Sequence, residues 1–161
     1  MNWNNCNNSI QNRCSKTLNA SCIDCSCCHR RPMAYVCGGT SGYVAVVDLI
    51  EGRNIMNIDC GENSYPYNIA ANPSSDCAYV ADYERNMVLK LNLADGIVVD
   101  MTAVVGTPVG ISVSPCGCFV YVVFQDEPIL QILHAGSLEN IASIALPVPG
   151  NSVFVTADCQ T

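Results

Sequence analysis

The sequence predicts an all-β fold built from repeated four-stranded antiparallel units, and three observations carry that prediction. Ala34-Tyr35-Val36 recurs as Ala78-Tyr79-Val80 and again as Val120-Tyr121-Val122. Asp48, Asn92 and His134 keep the same spacing, each closing an alternating apolar run. Pro66 and Pro108 stand one such period apart, as do Pro73 and Pro115. A fixed period of this kind marks an array of one supersecondary unit, none of which buries its apolar face alone.

The strands follow in order. Residues 34–37, 78–81 and 120–124 are rich in Val, Tyr and Ala, which suit a pleated, half-buried surface. Residues 43–48, 87–93 and 129–134 form a second set, in which Met87 to Leu93 alternates apolar and polar side chains. Residues 54–59, 97–104 and 140–146 form the third, and the Pro-led runs 67–71, 109–114 and 151–156 the fourth. Glu51-Gly52, Asp95-Gly96 and Pro115-Cys116-Gly117 supply turn chemistry between them. Four short strands in each of these periods are the arithmetic of a β-propeller blade.

Composition narrows the function classes. The 161 residues are 50% hydrophobic and only 13% charged, which excludes a disordered acidic tail. A net charge of −7 argues against nucleic acid or an anionic membrane surface as partner. Membrane insertion is not expected: the most apolar stretch, Ile97 to Val113, is broken by Asp100, Gly106, Pro108 and Gly110. Twelve cysteines are far more than a reducing compartment employs. The start, MNWNNCNNSIQNRC, has no basic segment followed by an apolar one, so no standard secretory signal is recognisable. Together these predict an oxidising final location reached without that signal: extracellular, or the surface of a spore.

Half of the cysteines precede His29: Cys6, Cys14, Cys22, Cys25, Cys27 and Cys28. That stretch is rich in Asn and Ser and cannot bury enough surface to fold alone. Residues 1–32 are therefore expected to be an extended Cys-rich arm and residues 33–161 the three-repeat domain.

The segments AYV, VAVVDL and PYNIAANPSSD resemble the YVTN-type β-propeller repeat, in which a Pro-led inner strand ends in a tight turn and the next strand reads Ala-Tyr-Val. The resemblance covers residues 33–161 and implies a propeller fold; it implies little about activity. The sequence departs from the pattern at Cys116, where Asp is usual, and in the third repeat at Pro147-Val148-Pro149-Gly150.

In that arrangement the Pro-led strand is innermost. The first repeat begins at Ala34 without one, and 151–156 is an inner strand with no further blade behind it. An incomplete blade and a lone strand are both unpaired edges. The expectation is that Asn151, Val153 and Val155 of one copy complete the first blade of another, head to tail. Such a join gives a ring if the rotation closes and a fibre if it does not.

Cys25-Ser26-Cys27-Cys28-His29 contains the Cys-x-x-Cys-His pattern of c-type haem attachment, with Cys25 and Cys28 as thioether sites and His29 as axial ligand. Cys22, Cys25, Cys28 and His29 are alternatively a zinc set. Cysteine is so dense here that disulfide cross-linking is the stronger reading of both, and no cofactor or metal is assigned. The adjacent Cys27 and Cys28 are poorly placed to bridge each other and suit two different partners. Cys6, Cys14, Cys22, Cys25, Cys27, Cys28, Cys37, Cys77, Cys116, Cys118 and Cys159 are the inter-subunit disulfide candidates. In composition and position the arm resembles the N-terminal connectors of spore-appendage subunits.

Asp48 and Asn92 are read as turn-forming side chains rather than a cation ring. Glu62, Asp76, Asp82, Glu84, Asp95, Asp100, Asp126 and Glu127 are read as loop solvation, and His134 has no evident nucleophile beside it. Tyr65, Tyr67 and Tyr83 are contact aromatics or covers for blade edges. No Gly-x-Ser-x-Gly elbow and no Gly-rich phosphate loop occurs. The expected function is a non-enzymatic, self-assembling structural subunit of a disulfide-cross-linked surface fibre or array, partnered by copies of itself. The alternatives are a closed six-bladed dimer that binds a ligand, and a mono-haem redox protein.

Overall fold

The structure is a computed structural model, and it describes residues 32–156. Three antiparallel sheets follow one another along the chain. The first holds β1 (Met33–Cys37), β2 (Tyr43–Asp48) and β3 (Arg53–Asp59) in the order β1-β2-β3. The second holds β4 (Pro66–Ala71), β5 (Cys77–Asp82), β6 (Met87–Asn92) and β7 (Ile97–Ala103) in the order β4-β5-β6-β7. The third holds β8 (Pro108–Val113), β9 (Phe119–Phe124), β10 (Ile129–His134) and β11 (Asn140–Ala145), again in chain order. A short 3-10 turn, Gly39–Ser41, links β1 to β2. Among the described residues no helix is long and apolar enough to cross a membrane.

The repeat extends to fine detail. Tyr35, Tyr79 and Tyr121 pair with Val46, Lys90 and Ile132, the same register in all three sheets. A bulge interrupts the next pairing in each sheet, at Val46/Val47, Lys90/Leu91 and Ile132/Leu133. Another follows Pro66 and Pro108, whose missing N–H cannot extend the ladder. One side chain per sheet closes the turn after β2, β6 or β10. Asp48 Oδ1 accepts from the N–H of Ile50 at 2.8 Å, and Asn92 Oδ1 from that of Ala94 at 2.9 Å. His134 Nδ1 does the same for Ser137 at 3.2 Å.

Two apolar layers lie between the three sheets. Val44, Val46 and Ile58 of the first sheet meet Val80, Leu89 and Leu91 of the second. Tyr79, Ala81 and Val88 of the second meet Val120, Val122 and Phe124 of the third. Because side chains alternate along a strand, β5 sends Val80 one way and Tyr79 and Ala81 the other. The middle sheet is therefore buried on both faces, which is why β5 reads as an unbroken apolar run. Each buried Val or Leu contributes roughly 1.5–3 kcal/mol.

Hydrogen bonds fasten the second sheet to the third. The Tyr79 hydroxyl donates to the Ala135 carbonyl at 2.6 Å, and Lys90 Nζ to the Gly136 carbonyl at 2.7 Å. Asn72 Nδ2 donates to the Gly117 carbonyl at 2.9 Å. Gly117 has a φ of +73°, and a Cβ there would run into the side chains of Ser74 and Asn72, so only glycine fits this turn.

One expected strand is absent: residues 151–156 join no sheet among the described residues. A strand exists only as a hydrogen-bonded partner of another, and this segment has none there. Its entry is nevertheless seated. The Gly150 N–H donates to the Phe124 carbonyl at 3.1 Å, and a Cβ on Gly110 would lie 2.8 Å from Ser152 Cα.

Replacing Tyr79 by Phe removes the hydroxyl that joins two sheets. We expect a loss of about 1–2 kcal/mol in urea unfolding, since a buried donor–acceptor pair is lost. An unchanged midpoint would show that the bond contributes nothing.

Candidate assembly interface

In the two complete sheets, β4 and β8 are first strands that pair with β5 and β9. By register β1 is the counterpart of β5 and β9, so the first sheet has no counterpart of β4 and β8 among the described residues. Among the described residues the side of β1 turned away from β2 is a sheet edge. On the broad face of the same sheet, Val36 (51% exposed), Tyr43 and Ile55 point away from the second sheet. At the other end of the array, Val123, Leu130 and Ile144 share a row on the outer face of the third sheet. Ile144 is exposed there, while Val123 lies under Gly150. Beyond it Phe154 is 85% exposed. Both ends of the array thus present the type of surface that its interior buries.

The predicted residues sort as follows. Asn151, Val153 and Val155 lie in the segment that follows the third sheet. Cys37 ends β1, Cys77 opens β5, and Cys116 sits in the β8–β9 turn; all three are free thiols, as is buried Cys60. Cys118, in the same turn as Cys116, is disulfide-bonded. Cys6, Cys14, Cys22, Cys25, Cys27, Cys28, His29 and Cys159 lie outside the described residues, and with them both the haem and the zinc motif. Among the described residues no three His, Cys, Asp or Glu side chains are grouped to hold a metal ion.

One reading of a polar residue needs correction. Asp82, expected to be a solvated loop carboxylate, is fully buried and organises the joint between the first two sheets. Its carboxylate accepts from Ser64 Oγ at 2.7 Å, from the Tyr65 N–H at 2.9 Å and from Arg85 Nε at 2.6 Å. Arg85 Nη2 in turn donates to the Cys60 carbonyl at 2.8 Å, which ties the network to the segment leaving the first sheet. Near this network Tyr65, Tyr67 and Tyr83 pack on one another, with ring centroids 5.6–6.4 Å apart. The serine nearest His134 is part of its turn and not a nucleophile setting: Ser137 Oγ lies 3.3 Å from Nδ1. That hydroxyl donates to Glu139 Oε2 at 3.0 Å. The acid therefore holds the serine and not the imidazole, which is turn geometry and the wrong order for a nucleophile relay.

Burial pushes the Cys37 thiol up to about 12, with Cys60 as a second, like-charged cause. Burial likewise raises Cys60 to about 11, and Asp82 adds to the effect while Arg85 opposes it. Cys60 also lines a cleft of about 350 Å³ with Asp59, Arg85, Ile97, Val98 and Met101. A thiol held protonated in this way is a packing group and not a nucleophile at neutral pH.

No protein-family model matches the chain, and no curated protein matches it. Solved structures do: 762 chains match, a breadth that speaks to fold and not to one activity. One is hydrazine synthase of Kuenenia stuttgartiensis, at 20% identity and a TM-score of 0.69, covering 74% of this chain and 34% of that one. The three sheets are β-propeller blades. At this identity the likeness carries the fold alone, and the chain spans about a third of that neighbour's length. Blade 1 is then the three-stranded sheet, and blades 2 and 3 are complete.

The two raised thiols set a pH dependence. Folded Cys37 and Cys60 keep their protons after the unfolded chain has lost them above 9.0, so their contribution is full below pH 9 and is lost as pH rises toward 11–12. At pH 8, iodoacetamide should label both roughly a hundredfold or more slower in the native than in the urea-unfolded chain, because the thiolate reacts. Equal rates in the two states would contradict the burial described above.

Proposed function

We propose that this chain is a structural subunit that assembles head to tail, residues 151–156 of one copy supplying the inner strand of blade 1 in the next. One observation carries the reading: blade 1 lacks an inner strand among the described residues, while a segment in the repeat position of an inner strand pairs with nothing there. Strand addition satisfies both through backbone hydrogen bonds, and alternate side chains give it specificity.

Propellers usually close with four to eight blades, and the described residues form three. Two copies joined head to tail and closed would make six blades, whereas a rotation that does not close would make a filament. The low charge of the chain favours wide apolar contacts, whose cores are depleted of charged residues. Disulfides from the cysteine-rich arm, with Cys27 and Cys28 reaching different neighbours, would lock the assembly on an extracellular or spore surface. In this reading the blades are of YVTN type, the chain has no catalytic role, and its partners are copies of itself.

Val153→Asp combined with Val155→Asp places two charges on the inserted strand. The wild-type protein should sediment as particles far above its 17.2 kDa mass, and the variant as a monomer with an unchanged far-UV spectrum. A wild type that stays monomeric at tens of micromolar, or a variant that still polymerises, would overturn the proposal. A discrete particle of twice the monomer mass would favour the closed dimer over the fibre.

A further inference from the structure

Resting on that head-to-tail reading, we infer that the join has one register, with Val153 of one copy opposite Val36 of the next. The register follows from the two internal blades. Ile69 pairs with Val80, and Ile111 with Val122. Val153 lies one repeat beyond Ile111, by the step that separates Ile69 from Ile111. Val36 lies one repeat before Val80, by the step that separates Tyr35 from Tyr79. The neighbouring pairs follow in the same way. Ser152 faces Cys37 as Asn68 faces Ala81, and Val155 faces Ala34 as Ala71 faces Ala78. Phe154 then falls opposite Tyr35, where the internal blades place Ala70 and Ser112 against the repeat tyrosine.

The occupant is a second copy because of where the segment is already seated. Between blades 2 and 3 the inner strands touch through Asn68 Nδ2, which donates to the Val109 carbonyl at 3.2 Å. Ser152 lies over Gly110, which repeats that contact one blade further on. The segment therefore occupies the slot next to β8, not one next to β4. The blade built on that slot must lie against the outer face of blade 3, where Leu130 and Ile144 wait. Blade 1 of a second copy brings the matching face, with Val36, Tyr43 and Ile55, and a β1 edge for the strand. The contact continues, between chains, the stacking that joins blade 2 to blade 3 within one chain. It also buries Phe154 and Val36, which are 85% and 51% exposed in the single chain.

Two variants isolate a single join. Val36→Asp blocks the accepting edge and leaves the donated strand intact; Val153→Asp with Val155→Asp does the reverse. Val36 is half exposed, so the first variant should keep the monomer fold. Each variant alone should sediment as a monomer, and their equimolar mixture as a dimer of twice that mass. A mixture that stays monomeric while the wild type polymerises would overturn the assigned slot but leave self-assembly standing.

The register is read by placing the photo-crosslinker p-benzoylphenylalanine at position 154 in an otherwise complete chain, and mixing ¹⁴N- and ¹⁵N-labelled protein before irradiation. Mass spectrometry should find mixed-isotope cross-links to residues 33–37. Mixed-isotope cross-links confined to another part of the chain would overturn the register while leaving association intact. Cross-links to β1 found only within one isotope would show the chain closing on itself and would overturn the second copy as occupant.

Discussion

A blade is a sheet with two apolar faces and one inner edge, and each of the three is stabilised when a neighbour covers it. The rest of this molecule follows from that constraint. Blade 2 meets it in full: β5 and β6 send side chains into both apolar layers, and the Tyr79 hydroxyl and the Asp82 carboxylate tie the blade to its neighbours on either side. Blades 1 and 3 meet it on one face each. Among the described residues, Val36, Tyr43 and Ile55 at one end, and Ile144 with Phe154 at the other, remain exposed. An edge strand left in that state is a template for pairing with another chain.

Polar side chains take a consistent place in this scheme. They sit at blade joints and turns, and they serve backbone groups more than one another. Asn72 and Lys90 reach carbonyls of blade 3, and Arg85 reaches a carbonyl of the segment that leaves blade 1. Asp48, Asn92 and His134 close equivalent turns with three different chemistries. What the repeat preserves there is an acceptor at one position, not a residue type.

Much of the fold was legible in the sequence, because period and alternation are local properties. The spacing of Tyr35, Tyr79 and Tyr121 located eleven strands within a residue or two of their observed bounds. The twelfth, 151–156, has the composition of a strand but no partner among the described residues, and pairing is not a property a segment can carry alone. The role of Asp82 was hidden for a related reason. It falls where blade 1 has Gly38 and blade 3 has Phe124, so the repeat offers no hint of it, and its partners Ser64 and Arg85 come from two different loops. The proximity of Cys37 and Cys60 likewise depends on the path around blade 1. The cysteine motifs that precede Pro32 lie outside the described residues, so their part rests on sequence alone.

The most direct measurement of the central claim is negative-stain electron microscopy of the purified protein, with and without reductant and denaturant. Head-to-tail strand addition locked by disulfides predicts long filaments or ordered arrays that disperse only when both agents are present. Small uniform particles under every condition would contradict it.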